Sequence, residues 1–225
     1  MKNYINRISI FLCNRMRWVI ITILIRIGVF AIHIASDKIS HKFDPLKKKE
    51  YIFKSTDTVC LSINMIVETL FTYWIYQFTC GMRLISKLSC LNVALLFIFD
   101  DLLYAPYHHI LHTRRFFKWI HFRHHRITHP HKSYIHASME HPFEMLGALL
   151  LHASVIYIFY PILDRFSVIC HLFLKALGAC LNHSGKDVNC LVYETKLHHI
   201  HHMQRTCNYA QYVFIYDRLI GTLRT

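Results

Sequence analysis

The stretch LSCLNVALLFIFDDLLYAPYHHILH, residues 88–112, decides how this chain is read. Its first part, Leu88 to Tyr107, carries no charge before Asp100 and Asp101. A helix needs about 20 apolar residues to cross roughly 30 Å of hydrocarbon, so the run is long enough to span a membrane. It then delivers His108, His109 and His112. On a helix, residues i and i+4 share a face, so His108 and His112 can point the same way. A membrane span that ends in paired imidazoles combines two rare features, and the rest of the chain repeats both.

Other apolar stretches flank it. Trp18 to Ser36 carries Arg26, so whether it spans is left open. Thr58 to Met82 carries Glu68, Met145 to Leu163 is uncharged, and Phe166 to Asn182 is short, carries Lys175 and is read as spanning or re-entrant. The turn at 158–165 (IFYPILDR) joins the last two into a helical hairpin. The expected fold is an all-α integral membrane bundle of about four spans with a His-rich helical cap. Residues 1–90 are expected to form an N-terminal anchoring region and residues 91–225 a second domain that bears the clustered histidines. The basic N-terminus, with Lys2, Arg7, Arg15 and Arg17, lacks a clean cleavage site, so a retained segment fits better than a signal peptide.

Composition agrees. The 225 residues are 54% hydrophobic, with 26 Lys+Arg against 13 Asp+Glu, a net charge of +13; the mean hydropathy is +0.27. Disorder requires low hydrophobicity and is excluded. Nucleic-acid binders are basic but seldom this apolar, so no nucleic-acid partner is expected. Residues 102–139 hold Arg114, Arg115, Lys118, Arg123, Arg126 and Lys132 and no acidic residue. The positive-inside bias therefore puts this segment in the cytoplasm. Counting back through two spans puts Lys38 to Lys54 on the same side, and counting forward returns the chain there near His183. The basic N-terminus is the misfit if the first stretch spans. The eight cysteines form no C-x-x-C pair and are read as reduced and structural.

Seventeen of the 19 histidines lie between His108 and His202. Three clusters have ligand spacing: His108/His112, His121/His124/His125 and His198/His201/His202. Each set can occupy one helix face. Eight imidazoles exceed what one metal takes, so two metals are implied. Imidazole suits Zn, Cu, Fe and Ni, but a structural zinc closes at four ligands. A dinuclear, dioxygen-activating iron centre fits best. His33, His41, His152 and His171 are read as ordinary surface or core residues.

In order along the chain, Asp101-x-x-Tyr104-x-x-x-His108-x-x-x-His112, His121-x-x-His124-His125-Arg126, His141-Pro142-x-Glu144, Asn182-His183-Ser184-Gly185, His198-x-x-His201-His202, Cys207-Asn208-Tyr209-Ala210 and Asp217-Arg218-x-x-Gly221-Thr222-Leu223 resemble the motifs of the fatty acid hydroxylase/sterol desaturase superfamily of membrane di-iron enzymes. The resemblance covers residues 95–225 and leans toward cholesterol 25-hydroxylase-like and short bacterial-type members. His109 stands where the family has Arg, Tyr216 where it has Trp, Ala210 where it has Gly and Lys186 where it has Tyr.

That resemblance implies two iron ions held by His108, His112, His121, His124, His125, His198, His201 and His202, with His183 as a ninth ligand. His141 is open between ligation and a capping or orienting role. Asp101, Glu144 and Asp217 are expected to accept from the outer nitrogens of ligand imidazoles, with a structural cap as the alternative for Asp217; Tyr104 belongs to the same catalytic set. The expected reaction is O2-dependent hydroxylation or desaturation of a sterol or fatty acyl chain. No haem motif and no dinucleotide fingerprint occurs, so electrons come from a separate cytochrome-b5-type or reductase donor. The location is the endoplasmic reticulum in a eukaryote or the inner membrane in a bacterium. A His-rich metal transporter or store, or an inactive scaffold, is the alternative. Tyr73, Trp74, Tyr76, Phe97 and Phe99 are read as core packing before cleft lining.

Overall fold

A computed structural model describes residues 54–190 and 193–225. The Trp18–Ser36 stretch, the N-terminal basic residues and most of the Lys38–Lys54 loop lie outside the described residues. The described chain is helical apart from a two-stranded hairpin, β1 (Asn189–Cys190) with β2 (Tyr193–Glu194).

Among the described residues, four helices are long and apolar enough to cross a membrane: α1 (Ser55–Thr79), α2 (Ser89–Leu111), α6 (Pro142–Phe159, extended by a 3-10 turn to Ile162) and α7 (Arg165–Asn182). Between α2 and α6 lie α3 (Arg114–Phe116), a π-helical turn (Phe117–His121), α4 (Phe122–His125) and α5 (Ser133–Ala137). After α7 and the hairpin come α8 (Thr195–Gln204) and α9 (Ile215–Ile220). The protein is an all-α membrane bundle carrying a helical cap. The short last stretch is an unbroken 18-residue helix of about 27 Å at 1.5 Å per residue, which removes the re-entrant reading.

The far end of the bundle is tied by one buried carboxylate. Asp164 caps α7 by accepting from the Ser167 backbone N–H at 2.8 Å. It also accepts from the Ser86 and Ser89 hydroxyls at 2.8 Å each. Arg165 closes the C-terminal end of α1, its guanidinium donating to the carbonyls of Thr79 (3.1 Å) and Cys80 (2.6 Å). A cation at a helix C-terminus meets orphan carbonyls and the negative end of the dipole.

The apolar core, Ile75, Leu96, Val155, Ile156, Leu163 and Val168, lies between the spans. Outward residues such as Ile66, Leu70, Leu150, Tyr157 and Phe173 are exposed, as suits helices solvated by lipid on one side. The aromatics of these stretches pack on their neighbours: Trp74 stacks on Phe78 at 5.2 Å, Phe99 meets Phe159 of α6 at 4.7 Å, and Phe97 covers His171 and Tyr212, while Trp74 and Phe99 also keep an exposed face rather than lying in the core.

Within the spans sits a polar knot. Asp100 of α2 pairs with His152 of α6 (2.6 Å), with His171 of α7 (3.3 Å) and, in closest contact, with Lys175 of α7. His152 and His171 are core residues, as expected, and they share a buried carboxylate. No disulfide links the described cysteines.

Candidate metal centre

The cap end gathers the histidines in two groups. His108, His112, His121, His125 and His201 form one; His124, His183, His198 and His202 form the other. Within each group one ring nitrogen per residue lies within 4.8 Å of all the others. These are the nine residues singled out in the sequence, on α2, the π turn, α4, α8 and the end of α7.

The grouping corrects the expectation that each H-x-x-H-H triplet presents one face to one site. Successive residues on an α-helix are turned by about 100°, so i and i+4 differ by about 40° while neighbours diverge. His121 and His125 accordingly share the first group and His124 turns to the second. His198 and His202 share the second group and His201 turns to the first. The pairs His124-His125 and His201-His202 thus each serve both groups.

Backbone carbonyls fix the rings. Nδ1 of His108 donates to the Tyr209 carbonyl (2.7 Å), His201 to Cys207 (2.7 Å), His202 to Ile127 (2.9 Å) and His183 to Ala179 (2.8 Å). A carbonyl only accepts, so Nδ1 carries the proton and Nε2 keeps its lone pair. Glu144 Oε1 plays the same part for His121 Nδ1 at 2.6 Å.

Those Nε2 atoms converge. His108 and His121 are 3.0 Å apart there, His121 and His112 2.9 Å, His202 and His198 3.1 Å, and His198 and His183 3.2 Å. Nε2 of His125 and of His201 is buried with no hydrogen-bond partner. Lone pairs packed against one another repel unless a cation lies among them. Protons do not fill that role: burial and the neighbouring imidazoles hold His112, His121, His124, His125, His198, His201 and His202 below the ordinary histidine range, and burial takes His183 down to about 4. The donor set therefore fits a metal ion in each group, and neutral imidazole is the form that ligates.

Of the three carboxylates expected beside ligand imidazoles, one touches a clustered ring, and Asp217 takes its structural alternative. Glu144 touches a clustered imidazole; Asp101 and Asp217 do not. Asp101 accepts four backbone N–H groups, from Gln211 (2.8 Å), Tyr212 (3.3 Å), Val213 (2.8 Å) and Phe214 (3.2 Å). Asp217 accepts those of Tyr209 and Ala210 at 2.8 Å each, and the Thr222 hydroxyl at 2.6 Å. The reason is geometric: the loop 207–214 lies between these carboxylates and the rings, and its carbonyls reach His108 and His201. Asp101 and Asp217 act one step removed, as clamps on that loop. Asn208 completes the clamp, donating to the carbonyls of Leu197 and Arg224 at 2.9 Å each. The Cys-Asn-Tyr-Ala motif is a loop that aims two carbonyls.

Tyr104 is buried one turn below His108, its ring 5.3 Å from that imidazole. His141 caps α6, its Nδ1 accepting from the Phe143 N–H at 3.2 Å, and stands outside both groups. His109, in the position of the family's Arg, stacks on Tyr209 at 4.1 Å and contacts the Tyr216 hydroxyl at 2.9 Å. The carbonyls of Ile127 and Ala179 escaped sequence reasoning because any residue supplies one.

The fatty acid hydroxylase family matches residues 93–222. Methylsterol monooxygenase 1 of Gallus gallus is 29% identical over 134 residues, 56% of this chain and 43% of that protein. The chain thus spans less than half the length of that relative. No solved structure matches. With the family covering more than half of the sequence, and every grouped histidine inside the matched range, the chain belongs to the fatty acid hydroxylase family.

Proposed function

We propose that this protein is a membrane-bound, di-iron, O2-dependent oxidoreductase that hydroxylates or desaturates a lipid, either a sterol or a fatty acyl chain. The observation that carries the reading is the pair of buried all-imidazole groups at the end of a lipid-facing bundle. The nine histidines would hold the metal, five in one group and four in the other. Iron bound there supplies redox activation of O2 toward a C–H bond, which zinc does not offer. Hydroxylation balances as RH + O2 + 2 electrons + 2 H+ giving ROH + H2O.

The chain's own part is positional. The Tyr209, Cys207, Ile127 and Ala179 carbonyls keep the Nδ1 protons outward and the Nε2 lone pairs inward. Glu144 raises the basicity of His121 by accepting its proton. Tyr104 sits on the bilayer side of His108, where a lipid arriving from the membrane would approach. Burial of the rings excludes bulk water from the reacting region. Electrons come from a separate donor of the cytochrome-b5 or reductase type. The cap faces the cytoplasm, at the endoplasmic reticulum in a eukaryote or the inner membrane in a bacterium, and residues 1–90 act as the anchoring region.

A metal transporter would need ligating groups along the spans. The polar knot there argues otherwise: the Asp100 carboxylate is occupied by two histidines and a lysine, and an ammonium repels a passing cation.

The test is to purify the protein in detergent, count its metals, and profile host sterols and fatty acids with and without expression. Two irons per chain with one new oxygenated or desaturated lipid support the proposal. Unchanged lipids together with altered cellular metal uptake would sink it.

A further inference from the structure

Away from the imidazoles, the cap end of α1 borders a basic recess of about 230 Å³. Its walls include Lys54, Lys118, Arg123 and Arg126, with Trp119 and Phe122 beside them. From this arrangement we infer that the recess binds the phosphate headgroup of an anionic membrane phospholipid, as a site separate from the one where the substrate reacts.

The height of the recess is fixed by α1. Its 25 residues extend about 37 Å, more than the roughly 30 Å of hydrocarbon, so one end must emerge among the headgroups. Lys54 and Asp57 mark that end, and His141, at the start of α6, lines the same recess. Both helices point their N-termini at it, which favours an anion.

Charge adds to position. Asp57 is buried and draws in two guanidinium groups, Arg123 at 2.5 Å and Arg126 at 3.0 Å. Among the described residues, two arginines and two lysines against this one carboxylate leave a net +3 around the recess. Asp57 orients the arginines, and Lys54 and Lys118 add positive charge beside them.

The rim is aromatic. Trp119 is 72% exposed and Phe122 46%, and the Lys118 ammonium lies 5.5 Å from the Trp119 ring. An exposed tryptophan flanked by basic residues is the side-chain set that seats at headgroup level, with the ring among acyl carbons and the cation on the phosphate. An acidic soluble protein is the competing occupant of such a face, and the test below separates the two.

The test uses the full chain in detergent, titrated with phosphatidylglycerol and with phosphatidylcholine and read by native mass spectrometry. Wild type retains phosphatidylglycerol in preference. The double variant Lys54→Gln/Lys118→Gln weakens it about 25-fold, roughly fivefold for each lysine near the surface. The control Lys87→Gln/Lys186→Gln removes equal charge elsewhere and leaves binding unchanged. Equal losses in both double variants, or none in the first, overturn the site. Displacement of the lipid by glycerol 3-phosphate at matching concentrations would assign the recess to soluble phosphates and overturn the lipid reading. Loss of electron delivery from an acidic donor, with phosphatidylglycerol binding intact, would assign the face to protein docking and overturn it too.

Discussion

Replacing Asp101 by Asn tests whether the loop 207–214 is the part that aims the imidazoles. The carboxylate gives two oxygens to four backbone N–H groups. Asparagine keeps one oxygen and turns the other into a donor, so two N–H groups then face an NH2. A hydrogen bond to a charged group contributes about 1.5–3 kcal/mol, and two such losses amount to about 3–6 kcal/mol. For a chain of this size that lowers the unfolding midpoint by on the order of 10 °C. The loosened loop also frees the Tyr209 and Cys207 carbonyls from His108 and His201. Loss of such ring-orienting contacts typically weakens metal binding 10- to 100-fold. The assay is thermal unfolding in detergent together with metal content after dialysis against a graded chelator. Asp187→Asn, at an exposed position, serves as the control and changes neither. An Asp101→Asn protein that keeps both its midpoint and its metal would refute the clamp argument.

Other outcomes follow from the same contacts. Glu144→Gln weakens the partner of His121 Nδ1 and makes metal 10- to 100-fold easier to remove by chelator; retention equal to wild type would separate Glu144 from the centre. In metal-free protein, stability is complete above pH 6.5, the ordinary histidine value, and declines as pH falls toward about 4, the value at His183. The unfolded chain takes up protons that the buried rings refuse, so the sign is loss on acidification; a flat unfolding midpoint from pH 7.5 to 4.5 would contradict it. Lys175→Met strands the Asp100 carboxylate and costs about 3–5 kcal/mol, and adding Asp100→Asn recovers much of it. Thermal unfolding of the two variants reads this directly, and additive losses would mean the pair does not interact.

The all-α membrane bundle and the grouped histidines were legible in the sequence because apolar length and i, i+4 spacing are properties of side chains along one helix. The separation of His124 from His125 was equally available from helical geometry, yet three residues that fit one face also straddle its two edges. Asp101 misled for a different reason, whereas Asp217 takes the structural role that was its stated alternative. A carboxylate one or two turns from a histidine is near it in sequence, but a loop from the far end of the chain enters between them. The Asp100–Lys175 pair, 75 residues apart, joins two spans whose relative rotation no local pattern fixes. The carbonyl partners are invisible in principle, since they carry no residue identity.

The two dipeptides His124-His125 and His201-His202 have a consequence for how this centre tolerates change. His124 and His201 each reach the group opposite to their chain neighbours, His125 and His202. The interval between the two nitrogen groups is therefore spanned twice by a single peptide unit, whose adjacent Cα atoms are held about 3.8 Å apart by covalent geometry. Helices in a bilayer tilt and slide with lipid thickness and temperature, and packed distances drift with them. A spacing written into bonded neighbours does not. The membrane half of such a protein is free to diverge while the spacing between its two imidazole groups stays tied to bonded neighbours in the chain.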